Sequence, residues 1–315
     1  MQGAVRSVAR YLASRLVLLG WVCVAATLVA FCGQLWWVLD LFVHFRPWYA
    51  LCLFASTACA AMTGRWIAMP VLLAATVANV VDIAPAYRGL VSGQASSAAQ
   101  LRVVVFNLGL DNKRFDAVTR FLADSRADAV VLLEVGSRWL EPLAGLRAVY
   151  PYQLVHPRED PFGLALLSAH PCAPCEAIEE DGRVPAMLGR LAVKGDQIWI
   201  AGVHATPPVS ADWSRARDDY LEHMAQRVAR LDGPRLMAGD FNTTPWARSY
   251  RALTDGTGLR GSARARASWP TFLPVPVVPI DHVLVSQELA VAAQSRGPDL
   301  GSDHYPIVVE LRAVE

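Results

Sequence analysis

Apolar residues are distributed along this chain in two different ways. In the first third they form long unbroken runs, with no Asp, Glu, Lys or Arg from Leu16 to Leu39, from Pro47 to Gly64 or from Trp66 to Val81. A helix rising about 1.5 Å per residue needs roughly 20 apolar residues to cross a hydrocarbon core of about 30 Å; the first run suffices and the next two come close. After Leu101 the apolar runs are short and alternate with amphipathic stretches. Leu101 to Phe106, Ala129 to Leu133, Leu164 to Leu167, Leu188 to Val193, Ile198 to Val203, Arg235 to Ala238, Ile280 to Val285 and Ile307 to Leu311 have the length and Val/Ile/Leu content of strands. Phe115 to Ser125 and Asp212 to Leu231 read as helices, the second through Trp213, Ala216, Tyr220, Met224 and Val228 at helical spacing. Many strands with a few intervening helices predict an α/β fold of two packed sheets with helices outside.

This division predicts three parts: a membrane anchor of three transmembrane helices over 1–86, a tether over 87–100 rich in small polar residues, and one domain over 101–315. Arg6, Arg10 and Arg15 before the first run also fit a cleaved signal peptide, but two further apolar stretches follow within a few residues and favour an anchor. Trp36, Trp37, Trp48 and Trp66 near the segment ends suit the membrane interface. The first loop carries only Arg46 beside Asp40 and the second Arg65, against three Arg in the N-terminal tail. The positive-inside bias therefore predicts a cytoplasmic N-terminus, and three crossings place the domain outside the cytoplasm at a cell membrane. Of six cysteines, Cys23, Cys32, Cys52 and Cys59 lie in the apolar runs. Cys172 and Cys175, in Cys-Ala-Pro-Cys, read as a local disulfide in an oxidising compartment rather than half of a zinc site, since no second Cys/His pair matches.

Polar residues interrupt or end the predicted strands. Asn107 follows Arg-Val-Val-Val-Phe, Glu134 follows Val-Val-Leu-Leu, and His204 follows Ala-Gly-Val. Asp240 and Asn242 follow Leu-Met-Ala-Gly, Asp281 sits in Pro-Ile-Asp-His, and Asp303 and His304 precede Tyr-Pro-Ile-Val-Val. Any one of them reads as a turn former or surface residue. Together they predict a shared crevice, because strand ends on one sheet edge converge. Carboxylates hold a hard cation such as Mg²⁺ and orient water, and His or Asn donates to phosphoryl oxygens, so the set suits phosphoester cleavage. Neither Gly-x-Ser-x-Gly nor Gly-x-x-x-x-Gly-Lys occurs, which argues against serine esterases and P-loop nucleotide triphosphatases.

Phe-Asn-Leu, Leu-Leu-Glu-Val, Val-His-Ala-Thr-Pro-Pro, Ala-Gly-Asp-Phe-Asn-Thr-Thr-Pro-Trp, Ile-Asp-His-Val-Leu-Val-Ser and Gly-Ser-Asp-His-Tyr-Pro-Ile occur in this order across about residues 101 to 312. In that combination the chain resembles the endonuclease/exonuclease/phosphatase superfamily, and with its anchor it resembles the teicoplanin-resistance membrane proteins of that superfamily. The resemblance implies a four-layer α/β sandwich of two mixed sheets flanked by helices. It implies a metal (Mg²⁺ or Mn²⁺) held by Glu134, with Asn107 beside it and Asp303 as a further ligand. It also implies that Asp240 orients or deprotonates water, that Asn242 bonds the phosphate, and that His304, held by Asp281, contacts the phosphoryl group. His204 would bind phosphate or exchange protons. A carboxylate partner keeps an imidazole protonated and oriented, the physical basis for pairing Asp281 with His304. The family's usual polar residue soon after the first Asn has no obvious counterpart, since only Asp111 is near.

Arg190, on the strand before His204, reads either as a phosphate ligand or as a surface residue. Arg260, Arg264 and Arg266, followed by Trp269-Pro-Thr-Phe-Leu-Pro-Val-Pro, read either as a solvated loop with core residues or as a headgroup-binding, membrane-facing rim. From Tyr87 onward 24 Lys and Arg stand against 26 Asp and Glu, a net charge of −2, whereas a nucleic-acid enzyme usually carries a basic surface. Charge and anchor together favour a phosphorylated lipid or lipid carrier as substrate, with a nuclease acting on nucleic acid and a non-catalytic binding module as the alternatives.

Overall fold

The computed structural model describes residues 2–87, 100–179, 184–261, 265–275 and 277–314, and the chain forms two compact units, Met1–Tyr87 and Arg88–Glu315. The tether predicted over 87–100, apart from its two ends, and Arg264 lie outside the described residues.

The first unit contains α1 (Gln2–Phe31), the single turn α2 (Trp37–Asp40), α3 (Arg46–Met62) and α4 (Ala68–Tyr87). Three stretches, Arg10–Phe31, Trp37–Met62 and Ala68–Tyr87, are long and apolar enough to cross a membrane. The first uncharged run does not continue as one helix to Leu39. The helix stops at Phe31 and the chain turns at Gly33, which packs so tightly that a Cβ would stand 3.0 Å from Val43 and 3.2 Å from the Asp40 backbone. Small residues bring the helices together: a Cβ on Gly20 would stand 2.7 Å from Ser56 and 2.8 Å from Leu72, and Ser56 Oγ donates to the Leu16 carbonyl at 2.8 Å. Leu18, Leu28, Leu51, Phe54 and Val81 point outward, the inverse of a water-soluble bundle and the pattern of helices solvated by lipid.

The strands of the second unit are β1 (Gln100–Asn107), β2 (Ala129–Leu133), β3 (Tyr152–His156), β4 (Leu164–Ser168), β5 (Cys172–Ile178), β6 (Ala186–Val193), β7 (Asp196–His204), β8 (Arg235–Asp240), β9 (Arg260–Gly261), β10 (Asp281–Val285), β11 (Leu289–Arg296) and β12 (Ile307–Ala313). Among the described residues they form two six-stranded sheets, ordered β11-β12-β1-β2-β4-β3 and β5-β6-β7-β8-β10-β9. Each sheet is mixed, with one parallel pair at its centre, β1 with β2 and β7 with β8. The inner faces meet through Val103, Val105, Val131 and Leu166 on one side and Met187, Ile200, Leu236 and Val283 on the other. Outside the first sheet lie α5 (Phe115–Ser125) and α6 (Leu140–Ala144), and outside the second α7 (Ala211–Ala229) and α8 (Arg248–Thr257). This is the four-layer α/β sandwich.

The four strands that hydrophobic patterning misses, β3, β5, β9 and β11, are the four sheet edges. Edge strands are paired on one side only and carry polar residues that blunt self-association, so their apolar signal is weak. Cys172 and Cys175 are disulfide-bonded, with Cα atoms 5.5 Å apart, on edge strand β5 rather than in a loop. The buried face of α7 also differs from the predicted stripe. Ser214, Arg217, Tyr220, Leu221, Met224 and Val228 face inward, while Trp213 and Ala216 are exposed, because the stripe is set by the packing of Tyr220, Leu221, Met224 and Val228 on the second sheet.

Gly239 precedes Asp240 in β8 with φ +154, and a Cβ there would stand 1.7 Å from the Val203 carbonyl oxygen across the parallel β7–β8 pair. Gly239→Ala must push these strands apart. Denaturant unfolding of the variant is expected to show a loss of more than about 2 kcal/mol, above the ordinary value near 1 kcal/mol. Gly145→Ala, where an added Cβ meets nothing within 4 Å, serves as the near-neutral control.

Candidate active site at the sheet edges

Register accounts for the gathering of polar strand ends. In the second sheet His204 pairs with Asp240 in the parallel β7–β8 ladder, and Asp240 pairs with Asp281 in the antiparallel β8–β10 ladder, so the three stand in one row. In the first sheet Asn107 pairs with Leu133, which puts Glu134 at the same edge one residue on. His304 arrives from the turn between β11 and β12. Asn107 Nδ2 donates to Glu134 Oε1 at 2.9 Å and to Asp240 Oδ2 at 3.2 Å, joining the two sheets at this edge.

Backbone conformations at two of these positions are uncommon for residues with a side chain: Glu134 has φ 57 and Asn242 φ 48. Such conformations persist where surrounding bonds impose them. Glu134 Oε2 accepts from the Leu110 N–H at 2.7 Å. Asn242 N–H donates to Asp240 Oδ1 at 2.8 Å, and its amide donates to the Ala205 carbonyl at 2.8 Å. The buried Arg217 of α7 donates to the Asn242 carbonyl at 3.3 Å and also pairs with Asp218. Arg217 stands three residues before Tyr220, and that helical spacing is the signal in the sequence that it shares the buried face. Ser302 was also missed. Its buried hydroxyl donates to the Asn107 carbonyl at 2.7 Å and accepts from the His304 N–H at 3.0 Å, tying the β11–β12 turn to β1.

Asp240 Oδ2 is the meeting point. His204 Nε2 and His304 Nε2 each lie 3.6 Å from it. Burial pushes the Asp240 carboxyl up to about 6, with the neighbouring His304 charge pulling against that rise. His304 Nδ1 bonds Asp281 Oδ2 at 2.8 Å. Burial opposes its charge, but Asp281, Asp240 and Asp303 together outweigh burial and push the imidazole up to about 10. His204 goes the other way. Burial lowers its pKa, and Nδ1 lies 2.9 Å from the Pro161 carbonyl, so Nδ1 carries a hydrogen and donates to it while Nε2 faces Asp240. His282, next on β10, is pushed down to about 4 by burial against Phe241 and Tyr250, ring centroids 5.3 and 4.8 Å away.

Asp303 is exposed beside this cluster. Its carboxylate accepts the Trp269 indole N–H at 3.0 Å and its carbonyl the Thr271 N–H at 2.9 Å. The segment between them turns apolar side chains outward, with Phe272 73 % and Val275 58 % exposed. Arg190 is not brought to the site. It is exposed on β6 opposite Trp199, stacked on that ring at 5.5 Å, and Trp199 is five positions from His204, about 17 Å along a strand. Arg260 lies in β9 with its guanidinium on the Gln287 carbonyl, and Arg266 is exposed. Asp111 faces Arg138 at 3.8 Å.

Among the described residues one donor group converges closely enough for a divalent cation. Asp240, Asp281 and His304 offer ligand atoms within 4.8 Å of one another, and Asp281 Oδ1 is buried without a hydrogen-bond partner. A His304 ring protonated and bonded to Asp281 has no lone pair to give, however. Glu134 and Asp303 carry oxygens of the kind a hard cation prefers, and Asp303 is near enough to Glu134 to raise its carboxyl. Burial raises the Glu134 carboxyl despite its bonds from Asn107 and Leu110, so a positive charge there would relieve it.

A sandwich of two mixed sheets with acids, amides and histidines gathered at one edge defines a class of hydrolytic fold. Residues 104–304 match the model of the endonuclease/exonuclease/phosphatase family, and the chain belongs to that family. Its members are generally hydrolytic enzymes, nucleases and phosphatases among them, that typically use a divalent metal. The domain is similar to the endonuclease/exonuclease/phosphatase from Beutenbergia cavernae (21% identity, TM-score 0.57, covering 68% of this chain and 72% of that one). It is also similar to the one from Bacteroides vulgatus (19%, TM-score 0.57, covering 68% and 99%). D. rerio TDP2, solved with a single-strand DNA product, is a third (16%, TM-score 0.55, covering 68% and 100%). A comparison with curated protein sequences finds no match.

His282 and His304 are expected to titrate far apart. Imidazole NMR signals should show His282 neutral at pH 6 and His304 still protonated at pH 8, and Asp281→Asn should bring the His304 titration down by a unit or more, roughly 1.4 kcal/mol per unit. For His282 the folded pKa lies below the unfolded one, so its contribution to stability is full above about 6.5 and is lost as pH falls toward about 4.

Proposed function

We propose that this chain is a membrane-anchored, divalent-cation-dependent phosphoester hydrolase acting on a phosphorylated lipid or lipid carrier. The observation that carries the hydrolytic reading is the meeting of two imidazoles at Asp240: His204 Nε2 and His304 Nε2, the latter ring held by Asp281, both lie 3.6 Å from the same carboxylate oxygen. When bound by Glu134, Asn107 and Asp303, a cation supplies Lewis acidity at a phosphoryl oxygen and lowers the pKa of water. Asp240, ionised above about pH 6, orients and deprotonates the attacking water. The Nε2 acceptor of His204 faces the Asp240 acceptor and takes up a proton-bearing group between them. His304, kept charged by Asp281, donates from Nε2 to the phosphoryl oxygen, and the Asn242 amide lies at the same edge to hold the phosphate.

Three features support a lipid substrate. The chain carries three helices able to span a membrane. The catalytic region has no excess of basic residues. The Trp269–Val275 segment, bonded through its indole to Asp303, exposes Phe272 and Val275 beside the site, which suits contact with the apolar part of a lipid surface. The Cys172–Cys175 disulfide and the Arg-rich N-terminal end support an extracytoplasmic site.

Asp240→Ala is expected to lower metal-dependent hydrolysis of a generic phosphodiester by at least about 10³-fold. In the wild type, kcat/KM should fall as pH drops below about 6, where Asp240 takes up a proton. Unchanged turnover in the variant would sink this mechanism. A polyprenyl pyrophosphate and plasmid DNA, offered side by side to the solubilised protein, separate the substrates: phosphate release from the lipid alone supports the proposal, and nicking alone decides for a nuclease.

Phe272→Ser should weaken activity toward substrate in vesicles several-fold while leaving a short-chain soluble phosphoester unaffected. Equal rates on both substrates before and after substitution would remove the apolar segment from the account.

A further inference from the structure

The three-helix unit holds a second feature unrelated to hydrolysis. At the end where α1 begins and α3 turns into α4, Tyr11, Ser14, Arg15, Leu18, Trp21 and Arg65 line a groove of about 430 Å³. Arg65 donates to Ser14 Oγ at 2.6 Å, and the Arg15 guanidinium lies 4.9 Å from the Tyr11 ring centroid. Neither has an ion-pair partner among the described residues. The unit has only two carboxylates, Asp40 and Asp82, and both are engaged at the other end: Asp82 with Arg46 at 3.0 Å, and Asp40 facing His44 at 4.0 Å. Arg46 is thus neutralised within the protein, whereas Arg15 and Arg65 are not.

Arg15 is the last charged residue before the uncharged run that begins at Leu16, at the edge of the first span. An arginine there extends its head toward the interface and seeks an anion. Leu18 and Trp21 continue the same face of α1, 55 % and 42 % exposed, so two guanidiniums stand over an apolar wall. A free anion would use only the first part. We infer that this groove binds one anionic phospholipid, its headgroup phosphate on Arg15 and Arg65 and an acyl chain along Leu18 and Trp21. Positive charge gathered at this end places it at the cytoplasmic leaflet, where anionic lipids concentrate.

Native mass spectrometry of the full chain, released from detergent with equimolar phosphatidylglycerol and phosphatidylcholine, reads the site directly. One phosphatidylglycerol should be retained with a preference of about 30-fold, on the scale of two basic contacts at a membrane surface. Arg15→Gln with Arg65→Gln should bring the preference close to parity, and excess inorganic phosphate should not displace the lipid. Equal retention of the two lipids by the wild type, an unchanged preference in the double variant, or displacement by phosphate would each overturn the assignment. The wild-type competition decides by itself if the double variant does not fold.

Discussion

The hydrogen bond from Asn107 to Asp240 marks where the dry interior between the two sheets gives way to chemistry. Behind it the contact is entirely apolar, Val105, Val131, Ala238 and Val283 among others, and ahead of it nearly every side chain is an acid, an amide or an imidazole. A polar group buried here costs free energy unless it is bonded, so each strand end must find a partner on its neighbour or on the facing sheet. That requirement holds Glu134 and Asn242 in left-handed backbone conformations and recruits Ser302 and Arg217 as supports.

Charge is sorted within this cluster by geometry rather than residue type. His204, His282 and His304 are all buried, yet the pKa is lowered for the first two and raised for the third. The difference is the second atom each ring meets: a backbone carbonyl for His204 and His282, and the carboxylate of Asp281 for His304. A carbonyl fixes orientation at little cost to the neutral ring. A buried carboxylate in contact stabilises the imidazolium enough to reverse the effect of burial.

The two units obey opposite solvent rules, and this bears on what the enzyme meets. Helices α1, α3 and α4 present Leu, Val and Phe outward and keep Arg46, Asn79 and Asp82 bonded to one another, as a lipid environment requires. The catalytic unit presents charge outward except at segments such as Trp269–Val275 beside Asp303.

Much of this was legible along the chain. The three apolar runs, the central strands and the order of Asn107, Glu134, His204, Asp240, Asn242, Asp281, Asp303 and His304 follow from local pattern, because central strands buried on both faces are almost wholly apolar and any polar residue ending one stands out. The edge strands β3, β5, β9 and β11 were not legible, since half their surface meets water and their pattern is set by neighbours. Nor was the fate of the arginines: Arg190 reads in sequence as either a phosphate ligand or a surface residue and Arg217 as one more charge along a helix, and only the sheet register and the placement of α7 put one far from the site and the other beneath it. Sequence determined which residues could do the chemistry, through types and order. Tertiary structure decided which atoms meet and which histidine carries a proton, because both depend on burial and on partners far apart in the chain.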